Sequence, residues 1–245
     1  MTKKEEVYIS SFKKAIFIDS LFYISFLAAI LVSVCLDRSQ LIYALPVVIL
    51  TILIKYISRT KKSANPIFIL ALLAILISDI LSFRAFEACF PWIAISSSIY
   101  LLCCTFSLKK YLQKGTLKSV LSFSVILSGL LVFYITYAIV DLLIDFLAGF
   151  TLFFVFLIAA SLIIQTIAIA IIYIRDTYHN GTILLASGIF TFFQITLIAI
   201  NEFLYFDNTF TVLIVICHVM AIYLLMHFIS TTAVVNPEDL KEKFI

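Results

Sequence analysis

The chain has 245 residues, 64% of them hydrophobic and only 13% charged, with a mean hydropathy of +1.18. A soluble domain carries roughly 25% charged residues and has too little interior at this length to hide so much apolar surface, so lipid is the solvent that accepts it. The net charge of +3 gives no footprint for nucleic acid, because the basic residues lie in short connections between apolar runs.

Lipid requires every backbone group to be paired internally, and the long apolar runs favour helices over period-two strands. The fold class that follows is all-α, a polytopic transmembrane helix bundle in a single membrane domain. A bilayer core about 30 Å thick takes roughly 20 helical residues. Eight stretches of that kind occur, at about 16–36, 41–57, 66–83, 90–108, 120–140, 149–174, 182–200 and 210–230. Tails over 1–15 and 231–245 complete the chain. The N-terminal segment MTKKEEVYISSFKK is too polar for a cleaved signal peptide and reads as the lead-in to a retained signal anchor. Pro66 and Pro91 stand near span starts, where a missing N–H costs little. Pro46 lies deeper in the second span and is expected to bend it or reset its first turn. Pro237 marks the end of the last helix.

Charge placement tests this count independently, since Lys and Arg are retained on the cytoplasmic side and spans must alternate. One side collects Lys3, Lys4, Lys13 and Lys14, then Lys55, Arg59, Lys61 and Lys62, then Lys109, Lys110, Lys114 and Lys118, then Arg175, Lys241 and Lys243. The other holds Arg38 and Arg84, with Asp141, Asp145, Glu202 and Asp207 among its acids. Both termini are therefore expected in the cytoplasm, as for a multi-pass protein of a bacterial-type inner membrane.

The short connections leave no room for an extramembrane domain, so function is sought in the bundle. An ionisable group at membrane depth costs about 2.5–3.5 kcal/mol even on lenient scales and calls for a partner or a cavity. Asp79, Gln165, Gln194 and His218 meet that description, with Asp19, Lys55, Asn201 and His227 nearer the ends. Asp79 is the carboxylate well inside a span, roughly 6–8 Å from its outer end at helical rise. It suits a general acid or base; alternatively it ties its helix to a serine or to His218, or reaches Arg84. Gln194 and His218 fall near mid-depth on the last two spans, and Ser96, Ser97 and Ser98 lie at a similar level, so that one cavity can gather them. His227 stands about 13 Å along the helix from His218, too far to share a metal.

Cys35, Cys89, Cys103, Cys104 and Cys217 show no zinc spacing and read as small core residues. Tyr23, Tyr43, Tyr56, Tyr111, Tyr178 and Tyr205 sit near span ends, where interface anchors belong. No nucleophile elbow, metalloprotease helix or phosphate loop occurs, and no cofactor or metal is implied. Five glycines in the whole chain also argue against the broken helices of transporters.

The segments LLAILISDILSF (72–83) and PWIAISSSIYLLCCTF (91–106) resemble the YhhN-like lysoplasmalogenase family, eight-span membrane enzymes that cleave the vinyl ether bond of lysoplasmalogens. Ser78 and Asp79 match the family's pair late in the third span, and Tyr100 a tyrosine in its fourth. FTFFQITLIAINEF (190–203) follows the same outline. Where the family has a second acid, this chain has Gln194 or Ile195; Ser97 replaces a histidine, Leu45 a lysine and Ile222 a glutamine. The resemblance implies a hydrolase of a membrane lysolipid with Asp79 as acid/base; either His218 is its catalytic partner in place of the family's missing residues, with Ser97, Tyr100 and Gln194 holding substrate, or the chain keeps the fold without that activity. The rival readings are a non-catalytic membrane subunit or scaffold of a larger complex, with polar residues dispersed or fully paired, and a small-solute transporter, whose cavity must open alternately to both sides.

Overall fold

The computed structural model describes residues 3–112, 123–144, 147, 149–175 and 177–234. Lys114, Lys118, Asp145, Lys241 and Lys243, on which part of the charge division rests, lie outside them, as does Pro237. All regular structure among the described residues is helical: α1 (Lys3–Cys35), α2 (Leu41–Thr60), α3 (Pro66–Leu108), α4 (Phe123–Ile144), α5 (Phe150–Ile174), α6 (Gly181–Phe203) and α7 (Asn208–Thr231). Six of these helical runs are long and apolar enough to cross a membrane. The 22 residues of α4 are also predominantly apolar.

The 43 residues of α3 would extend about 64 Å if straight, twice a bilayer core. They do not run straight. Ala85 leaves the helical region at φ −163°, ψ 79°, between the polar residues Arg84 and Glu87. Ser78 and Ser97, 19 residues apart, come within 2.8 Å of each other, whereas a straight helix would hold them about 28 Å apart. α3 is therefore a hairpin with arms 66–84 and 86–108, breaking where the two apolar runs of the sequence are separated.

Helix α1 begins well before the apolar run, so the segment expected as a tail continues the first helix. α2 runs through Pro46 as one helix. Pro46 leaves the carbonyl of Ile42 without its intrahelical N–H. Pro66 occupies the first turn of α3, and the Asn65 side chain caps it by accepting from the Ile67 N–H at 3.0 Å. Asn65→Ala should cost about 1 kcal/mol, measurable as a lowered unfolding midpoint in detergent. Asp207 caps α7 through Oδ1, 2.6 Å from the Thr209 N–H. Hydrogen bonds from the Thr209 hydroxyl and amide hold its carboxyl below the usual carboxylate range. A lowered carboxyl stabilises the fold above the unfolded pKa and loses that contribution as pH falls through the folded one. Protection of the Thr209 amide from hydrogen exchange should hold at neutral pH and decline only below about pH 4, a dependence that Asp207→Ala should abolish.

The main core lies where α1, α2, both arms of α3, α5, α6 and α7 meet, with Leu41, Ile52, Leu72, Leu101, Leu184 and Ile222 excluded from solvent. Gly188 lets α6 approach α5 closely, since a Cβ there would stand 3.1 Å from Ile169. A second cluster joins the outer part of the hairpin to α4 and α5 through Phe90, Ala94, Leu143 and Phe154. The outward surface is itself apolar: Phe17, Ile24, Leu70, Trp92, Phe133 and Phe193 are each more than half exposed along their helices, a surface that water would penalise and lipid accepts.

Two expectations about side chains fail. Tyr23, Tyr43 and Tyr205 do point outward, but Tyr56, Tyr111 and Tyr178 are buried. They face inward because each hydroxyl or ring has an internal use. The Tyr56 hydroxyl accepts from the Asn65 N–H at 2.8 Å. Tyr111 donates towards the carbonyls of Ile229 and Thr232 while its ring packs edge-on against Tyr178 and beside Phe228. Among the cysteines only Cys104 is fully buried, and Cys35 is exposed at the end of α1.

Candidate functional site: a buried Asp–His pair between two cavities

Asp79 and His218, 139 residues apart in sequence, meet inside the bundle with Oδ2 3.0 Å from Nε2. They are 7% and 1% exposed. The first arm of α3 aims Asp79 inward, on the stripe that also buries Ala71, Leu72, Ile75 and Ser78, a spacing of three and four residues that defines one helical face. His218 lies on the buried stripe of α7 with Thr211, Val215, Ile222 and Leu225. Both stripes face the same interior, with α2 packed against each helix, and the two side chains reach across it, so that each group meets its partner instead of lipid.

Asp79 stands at the junction of two cavities. The larger, of about 130 Å³, is mainly apolar and lies between the α3 hairpin, α4, α5 and α6. Ser97, Tyr100 and Gln194 line it together with Asp79. Phe86, Phe90 and Phe203 roof it near the hairpin turn, their rings in mutual contact at 5.3–5.7 Å. From the opposite wall α4 contributes Thr136, Ile139, Val140 and Leu143, one face of a helix whose other side carries the exposed Leu131, Phe133 and Tyr134.

The smaller cavity, of about 40 Å³, is bordered by Asp79, His218, Gln194, Asn201 and Thr211, with Arg38 and Glu202 at its rim. Arg38 and Glu202 form an ion pair across the connection after α1 and the end of α6. The Arg38 guanidinium also lies 5.8 Å and 5.9 Å from the ring centres of Phe83 and Phe206. Asn201 donates to Thr211 at 3.3 Å and accepts from the Asp207 N–H at 2.9 Å. The second ring nitrogen of His218, Nδ1, has no hydrogen-bond partner among the described residues.

Five residues singled out in the sequence are thus brought to one place. Four of them line the larger cavity directly; His218 reaches it through Asp79 and faces the smaller one. Arg84 takes no part in the pairing of Asp79. Sequence reasoning treated Arg38 and Glu202 as loop charges. A usable signal existed, since Arg38 is one of two basic residues on its side of the bundle and Glu202 belongs to the same side. Gln165 is buried with neither amide atom partnered among the described residues, and nothing in the structure explains it.

A second polar cluster lies far from this pair. The Lys55 ammonium, 1% exposed, is 2.9 Å from Asp19 and lies over the rings of Phe22, Tyr23 and Tyr223 at 4.7–5.6 Å. Arg59 reaches the same carboxylate at 3.6 Å and His227 at 3.3 Å. Expected nearer a helix end and counted with the basic residues of its side, Lys55 turns inward to join α1, α2 and α7.

No group of three His, Cys, Asp or Glu side chains among the described residues is placed to hold a metal. The fold and site together define a class: an all-helical bundle with six apolar helices of membrane-crossing length and a buried acid–imidazole pair facing an apolar cavity. The chain matches no protein family, no curated protein and no solved structure.

Proposed function

We propose that this protein is an eight-span membrane hydrolase of the YhhN-like type that acts on a vinyl ether lysolipid, with Asp79 as the acid/base. The reading takes the two arms of α3 as separate crossings and α4 as another, which places both termini on the side rich in Lys and Arg, the cytoplasmic side of a plasma membrane. The observation that carries it is the position of the Asp79–His218 pair, where a mainly apolar cavity meets a smaller one bordered by more polar side chains. A single-chain amphiphile asks for that division: an apolar space for the chain and a polar one beside the reacting bond.

Vinyl ether hydrolysis needs a proton delivered to the alkene carbon remote from oxygen, then water at the oxocarbenium carbon. The protonated Asp79 carboxyl gives that proton, and His218 Nε2, hydrogen-bonded to Oδ2, fixes the orientation of the acid. The new C–H bond consumes the alkene π pair and leaves the positive charge shared with oxygen. Water adds, its released proton returns to the Asp79–His218 pair, and the hemiacetal separates into an aldehyde and the free alcohol. His218 takes the place of the family's second acid, while Ser97, Tyr100 and Gln194 supply hydroxyl and amide groups along the substrate.

The scaffold reading is weakened by the convergence of these residues on shared cavities. Transport is weakened by the packing at the opposite end, where Tyr56, Phe68, Leu108, Tyr111 and Phe228 leave no solvent-accessible surface above 1%. Purified protein should release aldehyde from a 1-alkenyl lysolipid and none from its saturated 1-alkyl ether. Absence of aldehyde from both would remove the activity; release from both would remove the vinyl ether mechanism.

A further inference from the structure

We propose that the smaller cavity, bordered by Asp79, His218, Asn201 and Thr211, is a water chamber, filled from the outer face and gated by the Arg38–Glu202 ion pair. It rests on the reading above for the use to which the water is put and for which face is the outer one. Its volume of about 40 Å³ holds roughly one to three water molecules. That is too small for a lipid headgroup and suited to a reactant that a hydrolase must admit to a bundle surrounded by lipid.

The lining has the partners that ordered water needs. His218 Nδ1 is a buried ring nitrogen lacking a protein partner, on a side chain that borders this chamber and not the apolar cavity. Asn201 and Thr211, each 3% exposed, bring an amide and a hydroxyl to the same wall. A water usually makes two to four hydrogen bonds to buried polar groups; His218 Nδ1 lacks a partner, and Asn201 and Thr211, already bonded to each other at 3.3 Å, have further donor and acceptor capacity beside it.

The rim explains how the chamber is closed. Arg38 stands just beyond α1 and Glu202 near the end of α6, so their ion pair joins two connections on one face of the bundle. Phe83 and Phe206 flank the guanidinium and hold it over the opening. The Glu202 side chain is 8% exposed and that of Arg38 25%, so the pair lies at the boundary between chamber and surroundings. Asp79 belongs to both cavities, as do Ser82, Phe86, Gln194 and Ile198. Water admitted past Arg38 therefore reaches the carboxyl from one side while an apolar chain occupies the other.

Thiol labelling tests this without recourse to catalysis. In a variant with the five native cysteines replaced by Ala or Ser, single cysteines are introduced at Ser39, Thr211 or Leu162 and treated in sealed vesicles with a small, charged, membrane-impermeant methanethiosulfonate. Ser39→Cys, exposed on the same face, identifies the side from which reagent should reach the chamber. From that side Thr211→Cys should react slowly and Leu162→Cys, which lines only the apolar cavity, should not react. Adding Glu202→Gln should accelerate labelling of Thr211→Cys about fivefold, the shift expected from loss of a partly exposed ion pair. Charge exchange, Arg38→Glu with Glu202→Arg, should restore the slow rate. The proposal is overturned if Thr211→Cys stays unreactive in both backgrounds, if Leu162→Cys labels equally fast, or if Glu202→Gln leaves the rate unchanged. Labelling of Ser39→Cys from the cytoplasmic side would reverse the assigned topology and leave the chamber test intact on that side.

Discussion

Asp79→Asn should lower the rate of aldehyde release from a vinyl ether lysolipid by about 10²–10⁴-fold, the usual contribution of a positioned general acid. The amide keeps the size of the carboxyl and can still hydrogen-bond to His218, so the fold should survive and the loss should fall on kcat rather than KM. His218→Gln should cost less, because the glutamine amide can still bond to Asp79 and the acid itself remains. A His218 variant as damaged as Asp79→Asn would mean that the imidazole exchanges the proton with substrate. The saturated ether, bound but not cleaved, should inhibit parent and Asp79→Asn alike, separating lost chemistry from lost binding.

The second large effect concerns stability and is asymmetric. Asp19→Asn leaves Lys55 as a buried cation without its counter-ion, a change that costs about 3–5 kcal/mol for fully buried pairs. Because the Asp19 side chain is 42% exposed, solvent screening reduces this to about 2 kcal/mol. Lys55→Met removes the charge and keeps a flexible side chain among Phe22, Tyr23 and Tyr223, so it should cost less than Asp19→Asn. Adding Lys55→Met to Asp19→Asn should recover most of the lost stability. Thermal unfolding of the four proteins in one detergent measures the cycle. Equal losses for the two single variants would mean that the pair contributes by packing alone.

The helices were legible because lipid demands continuous apolar runs, and the interval 84–89, with Arg84 and Glu87, announced the turn of the α3 hairpin. Its consequence was not legible, since only the fold-back brings Ser78 to Ser97. Asp79 declared itself by its cost at membrane depth, and His218 stood among the partners open to it, beside a serine and Arg84. Direction was the missing information. A helix that is apolar on all sides, as α3 and α7 are, carries no periodic signal for which face turns inward. Lys55, Tyr56 and Tyr111 escaped for another reason: they lie where α2 and α3 end, and a polar-tipped side chain there can turn either to water or inward. Arg38 and Glu202 lie far apart in sequence, and their pairing depends on how α1 and α6 end beside each other. The charge division, by contrast, is independent of packing, so the proposed eight-crossing topology can be tested separately from the site.

Hydrolysis in D₂O tests the central claim most directly. The Asp79 acid carries solvent hydrogen to the alkene carbon, so the aldehyde, trapped at once by borohydride reduction, should contain one deuterium at carbon 2 from the parent protein, and little product should form from Asp79→Asn. Aldehyde without deuterium at that carbon, or labelled aldehyde formed equally fast by both proteins, would contradict the account.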